Sequence, residues 1–125
     1  MKHVSVSYVL KLHTKMIEAT GGKTGVRDVD LLESALFNAF VTFDGIELYP
    51  GVEDKCANIC YSIVKNHPFT DGNKRMGVYL LILLLEYNDI VLNYTQPELI
   101  DLGLGVAEGK YLQRNIVDWI KTHIV

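Results

Sequence analysis

Apolar residues along this chain recur mostly three and four positions apart, the spacing that puts them on one face of a helix. A first helix is expected from about Val6 to Ala19, with Ser5 as a possible N-cap and Gly21-Gly22 as its stop. Val6, Val9, Leu10, Met16 and Ile17 would form its buried stripe. A second helix should begin near Asp28, a candidate N-cap, and bury Leu31, Leu32, Ala35, Leu36 and Ala39. A third is expected from about Val52 to Asn66, on Cys56, Ile59, Cys60 and Ile63, with His67 at the next stripe position. Pro68 disfavours helical geometry at His67 and should end that helix. A fourth, from about Asn73 to Asn88, contains VYLLILLLEY and is apolar nearly all round, the mark of a helix surrounded by others. Two shorter helices should follow, at about Gln96 to Leu104 and Leu112 to His123, the last with Leu112, Ile116, Trp119 and Ile120 inward.

One stretch alternates instead. In VTFDGIEL, Asp44-Gly45 fits a two-residue type I′ hairpin turn, whose central residues both need positive φ. Phe43 would pair with Ile46 and Val41 with Leu48, these four sharing one face. Two strands alone are marginal in water, so the hairpin is expected to lean on the helices as a flap. The fold class is therefore all-α: a helical bundle around a central apolar helix, with a small β-hairpin.

Composition narrows the picture. The 125 residues are 49% hydrophobic, which suits one domain, residues 1–125, with a core that needs no staples. A net charge of −3 argues against direct nucleic-acid binding. The longest apolar run, Val78 to Leu85, is too short for a membrane span, and MKHVSVSYVLKLH lacks the apolar run of a signal peptide. No membrane association is expected, and the location should be cytoplasmic. Cys56 and Cys60 read as buried thiols, since a zinc site would need further ligands at suitable spacing.

Two segments carry candidate chemistry. GGKTG, Gly21 to Gly25, lacks the upstream glycine of a phosphate-binding P-loop, where Ile17 stands, and reads as a helix-ending loop. HPFTDGNKRMG, His67 to Gly77, gathers an imidazole, a carboxylate, an amide and two cations at the start of the fourth helix. Free N–H groups and the dipole there suit an anion, and Gly72 permits close approach to the backbone. Lys74 and Arg75 add cationic donors. Asp71 could hold Mg²⁺ against phosphates, and His67 could act as general base. Each has a plainer reading: Asp71 or Asn73 as N-cap, Lys74 and Arg75 as solvated charges, His67 as a core histidine. Only their concentration at one helix start favours a site.

At these residues the sequence resembles the Fic/Doc family, whose signature is H-x-F-x-[D/E]-[A/G]-N-[G/K]-R. His67, Phe69, Asp71, Gly72, Asn73, Lys74 and Arg75 match it. GGKTGVRDVDLLESAL and FDGIELYP resemble the family's segments after its first helix and at its flap, so the likeness runs from about Ser5 to Glu108. The family's fold is helical and carries two chemistries. Fic-type members transfer AMP from ATP to a protein hydroxyl and have Gly after the Asn, with a second Arg three residues beyond the first. Lys74 and Val78 stand there in this chain, as in the Doc (death on curing) branch, whose members are kinases. Gly72 departs the other way, since that branch usually has Ala.

The resemblance implies ATP and Mg²⁺ as cofactors, with His67, Asp71 and Asn73 catalytic and Asp71 the metal ligand. Gly72, Asn73, Lys74 and Arg75 would bind the nucleotide phosphates. Phe43, Asp44, Gly45 and Ile46 would form the target-binding flap. It implies a threonine of elongation factor Tu as the target, arrested translation as the result, and an antitoxin acting in trans. The nearest fit to the family's inhibitory-helix pattern, TKMIEA from Thr14, fails at Ala19. An AMP transferase and a non-catalytic binding module on the same fold are the alternatives.

Overall fold

A computed structural model describes residues 1–125. Six helices follow in order: α1 (Val6–Thr20), α2 (Val29–Phe37), α3 (Val52–Asn66), α4 (Asn73–Tyr87), α5 (Gln96–Ala107) and α6 (Gln113–His123). Between α2 and α3 lie a 3-10 turn, Asn38–Phe40, and an antiparallel hairpin of β1 (Thr42–Phe43) and β2 (Ile46–Glu47). The all-α bundle with one small hairpin is what the apolar spacing predicts.

Local chemistry explains most boundaries. Ser5 accepts a hydrogen bond from the Tyr8 N–H and Asp28 one from the Leu31 N–H, so both act as the N-caps their sequence positions suggest. Gly21 ends α1, its N–H donating to the Ile17 carbonyl. Thr95 and Glu98 cap α5 reciprocally, and Pro97 sits in its first turn. α5 runs three residues past its expected end, to Ala107.

The core is built on α3 and α4. α4 buries nine residues from Asn73 to Leu85, as expected of a helix apolar nearly all round. Gly77 lets the pair approach closely: a Cβ there would lie 2.5 Å from Val64 Cγ2 and 3.3 Å from the Cys60 carbonyl. Cys56 and Cys60 are buried free thiols, and burial pushes each up to about 12.

Three expectations need correction. Leu112 is not part of the inner stripe of α6; it is the residue before the helix and 41% exposed, leaving Ile116 and Ile120 buried with Trp119 half-buried. The α1 stripe buries His13 fully beside Val9 and Ile17, whereas Val6, Leu10 and Met16 are only partly covered. The hairpin does not bury its apolar face: Phe43 is 75% and Ile46 71% exposed. Its register is the expected one, with Phe43 opposite Ile46 and the Leu48 N–H donating to the Val41 carbonyl at 3.1 Å. Asp44 and Gly45 take φ of 54° and 77°, the two positive values a type I′ turn requires.

Candidate active site

The site forms where α3 ends and α4 begins. Pro68 cannot follow a helical residue comfortably, and His67 leaves the helix in the left-handed region, at φ 51° and ψ 58°. That conformation costs a residue with a Cβ about 1–2 kcal/mol. Its N–H still closes the last turn on the Ile63 carbonyl at 3.3 Å. The ring is exposed, and none of the chain's hydrogen bonds reaches it, so His67 is not the core histidine of the plainer reading.

Next to that free imidazole the chain is tightly held. Phe69 is buried, and the Asn73 side chain grips its backbone twice: Oδ1 accepts from the Phe69 N–H at 2.9 Å and Nδ2 donates to the Phe69 carbonyl at 3.0 Å. Asn73 is buried, so its amide positions the loop from inside. His13 of α1 stacks on the Phe69 ring, centroids 3.9 Å apart and planes 6° from parallel. Its Nε2 donates to the Asp71 carbonyl at 2.8 Å, which requires the proton on that nitrogen. His13 was absent from the sequence-based set. A histidine on a helical stripe looks like core, and only its partner, 58 residues away, gives it a role.

Gly72 begins α4 at φ 76°, and no side chain caps the helix. The first helical bond there is from the Met76 N–H to the Gly72 carbonyl, leaving the amides of Asn73, Lys74 and Arg75 open. Three open N–H groups at the positive end of a 15-residue helix are suited to receive an anion. Lys74 is exposed and makes no ion pair. Arg75 is tied back to the end of α1, donating to Thr20 Oγ1 at 2.6 Å and the Gly21 carbonyl at 2.8 Å.

Asp71 completes the group. Its carboxylate accepts from the Lys23 N–H at 3.1 Å and the Gly72 N–H at 2.8 Å, with the Arg75 guanidinium 3.9 Å away. The two amide bonds, and then the nearby positive charges, hold its carboxyl below the usual range despite slight desolvation. A half-exposed, ionised carboxylate beside an anion site suits Mg²⁺, which usually takes one or two carboxylates together with phosphate oxygens and water. Two of the roughly four lone-pair positions on Asp71 are used by N–H groups, so others remain. No three His, Cys, Asp or Glu side chains cluster into an all-protein cage.

The segment Gly21–Asp28 does more than end a helix. It lies along the motif loop: Thr70 N–H donates to the Gly25 carbonyl at 3.1 Å, and the Arg27 and Asp28 N–H groups both donate to the Pro68 carbonyl, at 2.8 and 3.0 Å. Val26 and Phe69 form an isolated antiparallel bridge. Gly22, at φ 118°, is the one hint the sequence holds, because a Cβ there would lie 2.6 Å from Asp71 Oδ2.

Thus His67, Asp71, Gly72, Asn73, Lys74 and Arg75 come together around one helix start. The flap residues Phe43, Asp44, Gly45 and Ile46 stand apart, and no hydrogen bond or ion pair joins them to the motif loop. The flap's one side-chain anchor is Lys55 of α3. Lys55 is only 4% exposed, and its ammonium donates to the Tyr49 carbonyl, pairs with Glu47 at 3.2 Å, and lies 5.8 Å from the Phe40 ring centroid.

Comparison with known proteins relates the sequence that builds this site to a family. The chain is 36% identical to Toxin Doc of Mycolicibacterium smegmatis over 74 residues, 59% of this chain and 57% of that one, so the match spans little more than half that relative's length. It is 27% identical to Protein kinase doc of Escherichia phage P1 over 124 residues, 97% of this chain and 94% of that one. The model of the Fic/DOC family matches residues 3–85, which takes in His13, the Gly21–Asp28 segment, the flap and the whole motif loop. The chain belongs to the Fic/DOC family.

Proposed function

We propose that this protein is a Doc-like toxin that transfers the γ-phosphate of ATP to a protein hydroxyl. The observation that carries the reading is the motif loop itself: an exposed imidazole, an ionised carboxylate and an uncapped helix start meet within six residues, His67 to Gly72. Phosphoryl transfer asks a protein mainly for positioning and charge neutralisation, and this loop offers both. The names of the two relatives, a toxin and a protein kinase, support the same class.

In this reading the open amides of residues 73–75, with Lys74 and Arg75, hold the phosphates. Asp71 would hold Mg²⁺, which would supply charge neutralisation for the phosphates. The His67 imidazole takes the proton of the target hydroxyl. The hydroxyl oxygen then bonds to the γ-phosphorus as the bond to the β–γ bridging oxygen breaks, leaving ADP. Asn73 keeps the loop in shape through Phe69, and the flap captures an extended target segment by main-chain pairing. The target is a translation protein such as elongation factor Tu, modified at threonine.

Transfer of γ-phosphate rather than AMP is supported at position 78. Val78 is 7% exposed and sits against α5, where a Cβ on Gly103 would lie 3.3 Å from Val78 Cγ1. No second guanidinium stands beside Arg75, so an AMP-transferring orientation lacks an anchor worth about 1.5–3 kcal/mol. Gly72 does not tip the balance back. Its positive φ, and the 3.0 Å approach of Met16 and Ile17 side-chain ends to a would-be Cβ, explain a glycine there without reference to the nucleotide.

An antitoxin acting in trans would restrain the activity. A groove of about 580 Å³, lined by Met16, Arg75, Val78, Tyr79, Ile82 and Leu99 among others, runs from Arg75 between α1, α4 and α5 and would accept an amphipathic helix. The cytoplasm, where translation occurs, is the matching location, and no helix is long and apolar enough to cross a membrane.

The test is incubation with bacterial lysate and ATP labelled at either the α- or the γ-phosphate. Transfer of the γ-label to one translation protein, with a mass gain of one phosphate, is expected. Transfer of the α-label would assign AMP transfer instead, and no transfer of either would favour a binding module.

A further inference from the structure

His67 carries a strained backbone at an exposed position, and something must hold it there. The Arg27 side chain is placed to do so. Its Nε donates to the His67 carbonyl at 2.7 Å, and its Nη2 donates to the Asn66 carbonyl at 2.8 Å. These are the last two carbonyls at the C-terminus of α3, where the helix dipole is negative and no further turn supplies N–H partners. A planar guanidinium meets two adjacent carbonyls with fixed geometry, which a lysine ammonium cannot reproduce. The Arg27 backbone N–H also grips the next carbonyl, of Pro68, at 2.8 Å. One residue thus holds three successive carbonyls around the turn that presents the imidazole.

We propose that Arg27 is the positioning residue for His67: its guanidinium fixes the left-handed turn at the end of α3 and so aims the ring that accepts the target's proton. Strained backbone persists at functional sites only where surrounding groups over-determine it, and Arg27 supplies that determination from 40 residues away in sequence. Lys65, the one basic residue in the last turn of α3, makes no hydrogen bond to these carbonyls. The residue touches no reacting atom in this scheme; it acts only through His67. The inference rests on the transfer reaction proposed above for its kinetic consequence, but not for its structural one.

Two measurements separate those. Arg27 is exposed, so Arg27→Met, which keeps the stem, should fold. Hydrogen exchange of the intact variant is expected to speed up about tenfold or more at His67 and Thr70, with the middle of α3 and α4 unchanged. In γ-label transfer, kcat should fall about tenfold or more while ATP affinity by calorimetry stays within twofold. Arg27→Lys should recover part of the rate, and added methylguanidinium should raise the rate of Arg27→Ala but not of wild type. Unchanged exchange at His67 and Thr70 in the variant, or a variant kcat equal to that of a wild type that does transfer phosphate, would overturn the role of Arg27. If wild type transferred nothing while exchange rose as expected, the transfer reading would fall and the positioning of His67 by Arg27 would stand.

Discussion

The motif loop and the flap both turn the chain through positive φ, yet they are held in opposite ways. His67 to Gly72 is gripped by α1 through His13, by the Gly21–Asp28 segment through backbone bonds, and by Asn73 from within. The hairpin around Asp44-Gly45 has two-residue strands, exposed apolar side chains and a single side-chain anchor at Lys55. Chemistry at phosphorus rewards a preorganised site, because a small misplacement raises the barrier steeply. Capture of a protein segment tolerates, and can use, a surface that adapts. The division predicts that damage to the loop reaches catalysis or stability according to the residue changed, whereas damage to the flap reaches only target use.

The largest expected effect is on catalysis alone. His67→Ala should lower γ-label transfer by about 10²–10⁴-fold, the usual contribution of a general base, with thermal stability nearly kept, since alanine retains the Cβ that strains the left-handed turn and the exposed ring makes no hydrogen bond. Growth arrest on expression should disappear with it. Full activity in the variant would remove His67 from the mechanism and leave the loop a binding site.

Asn73→Leu tests the rigidity of the loop. It strands the buried N–H and carbonyl of Phe69, each costing about 1–3 kcal/mol when left without a partner, so stability should drop by roughly 2–5 kcal/mol. Denaturant unfolding measures this directly. A loss under 1 kcal/mol would show that the loop is less determined than the hydrogen bonds indicate.

The flap gives the contrasting result. Nothing lies within 4 Å of a Cβ placed on Gly45, so Gly45→Val acts only through the strain of φ 77° in a β-branched residue. That strain, about 1–2 kcal/mol, should raise KM for the protein target by about tenfold, with ATP affinity and melting temperature nearly unchanged. Loss of ATP binding would merge the two regions into one unit and end the comparison.

The smallest effect lies outside both regions and serves as their control. His123 pairs with Glu98 at 2.6 Å, raising the imidazole above its ordinary 6.5 and lowering the carboxyl below its ordinary 4.5. The histidine's contribution is complete below 6.5 and is lost as pH rises through its raised value; the carboxylate's is complete above 4.5 and is lost as pH falls through its lowered one. The contact between α6 and the start of α5 should therefore be firmest between those values, as read by melting temperature against pH. His123→Gln should flatten that dependence and leave transfer activity alone.

Much of this molecule is written in short-range terms. Ser5, Asp28 and Gly21 mark helix ends because their partners lie within four residues. Asp44-Gly45 sets the hairpin because a type I′ turn needs two positive φ values and these two residue types accept them. The crowding of His67, Asp71, Gly72, Asn73, Lys74 and Arg75 into one loop marks the candidate site for the same reason: their proximity in space follows from proximity in sequence. Leu112 misleads because helical spacing alone cannot tell the residue before a helix from its first buried position.

The residues that hold the site in place are of the other kind. His13 meets Asp71 across 58 residues and Arg27 meets His67 across 40, so no local period or cap signature announces either. His13 looks like one more member of an apolar stripe, and Arg27 like an exposed charge before a helix. The hairpin's exposure is likewise invisible in its own pattern, since alternation says which side chains share a face and not whether anything covers that face. Local backbone preferences and side-chain spacing act within about one helical turn, and they determined the elements, the turn and the composition of the loop. Which carbonyl each distant donor reaches depends on how α1, α3 and α4 pack, and only the tertiary structure decides that.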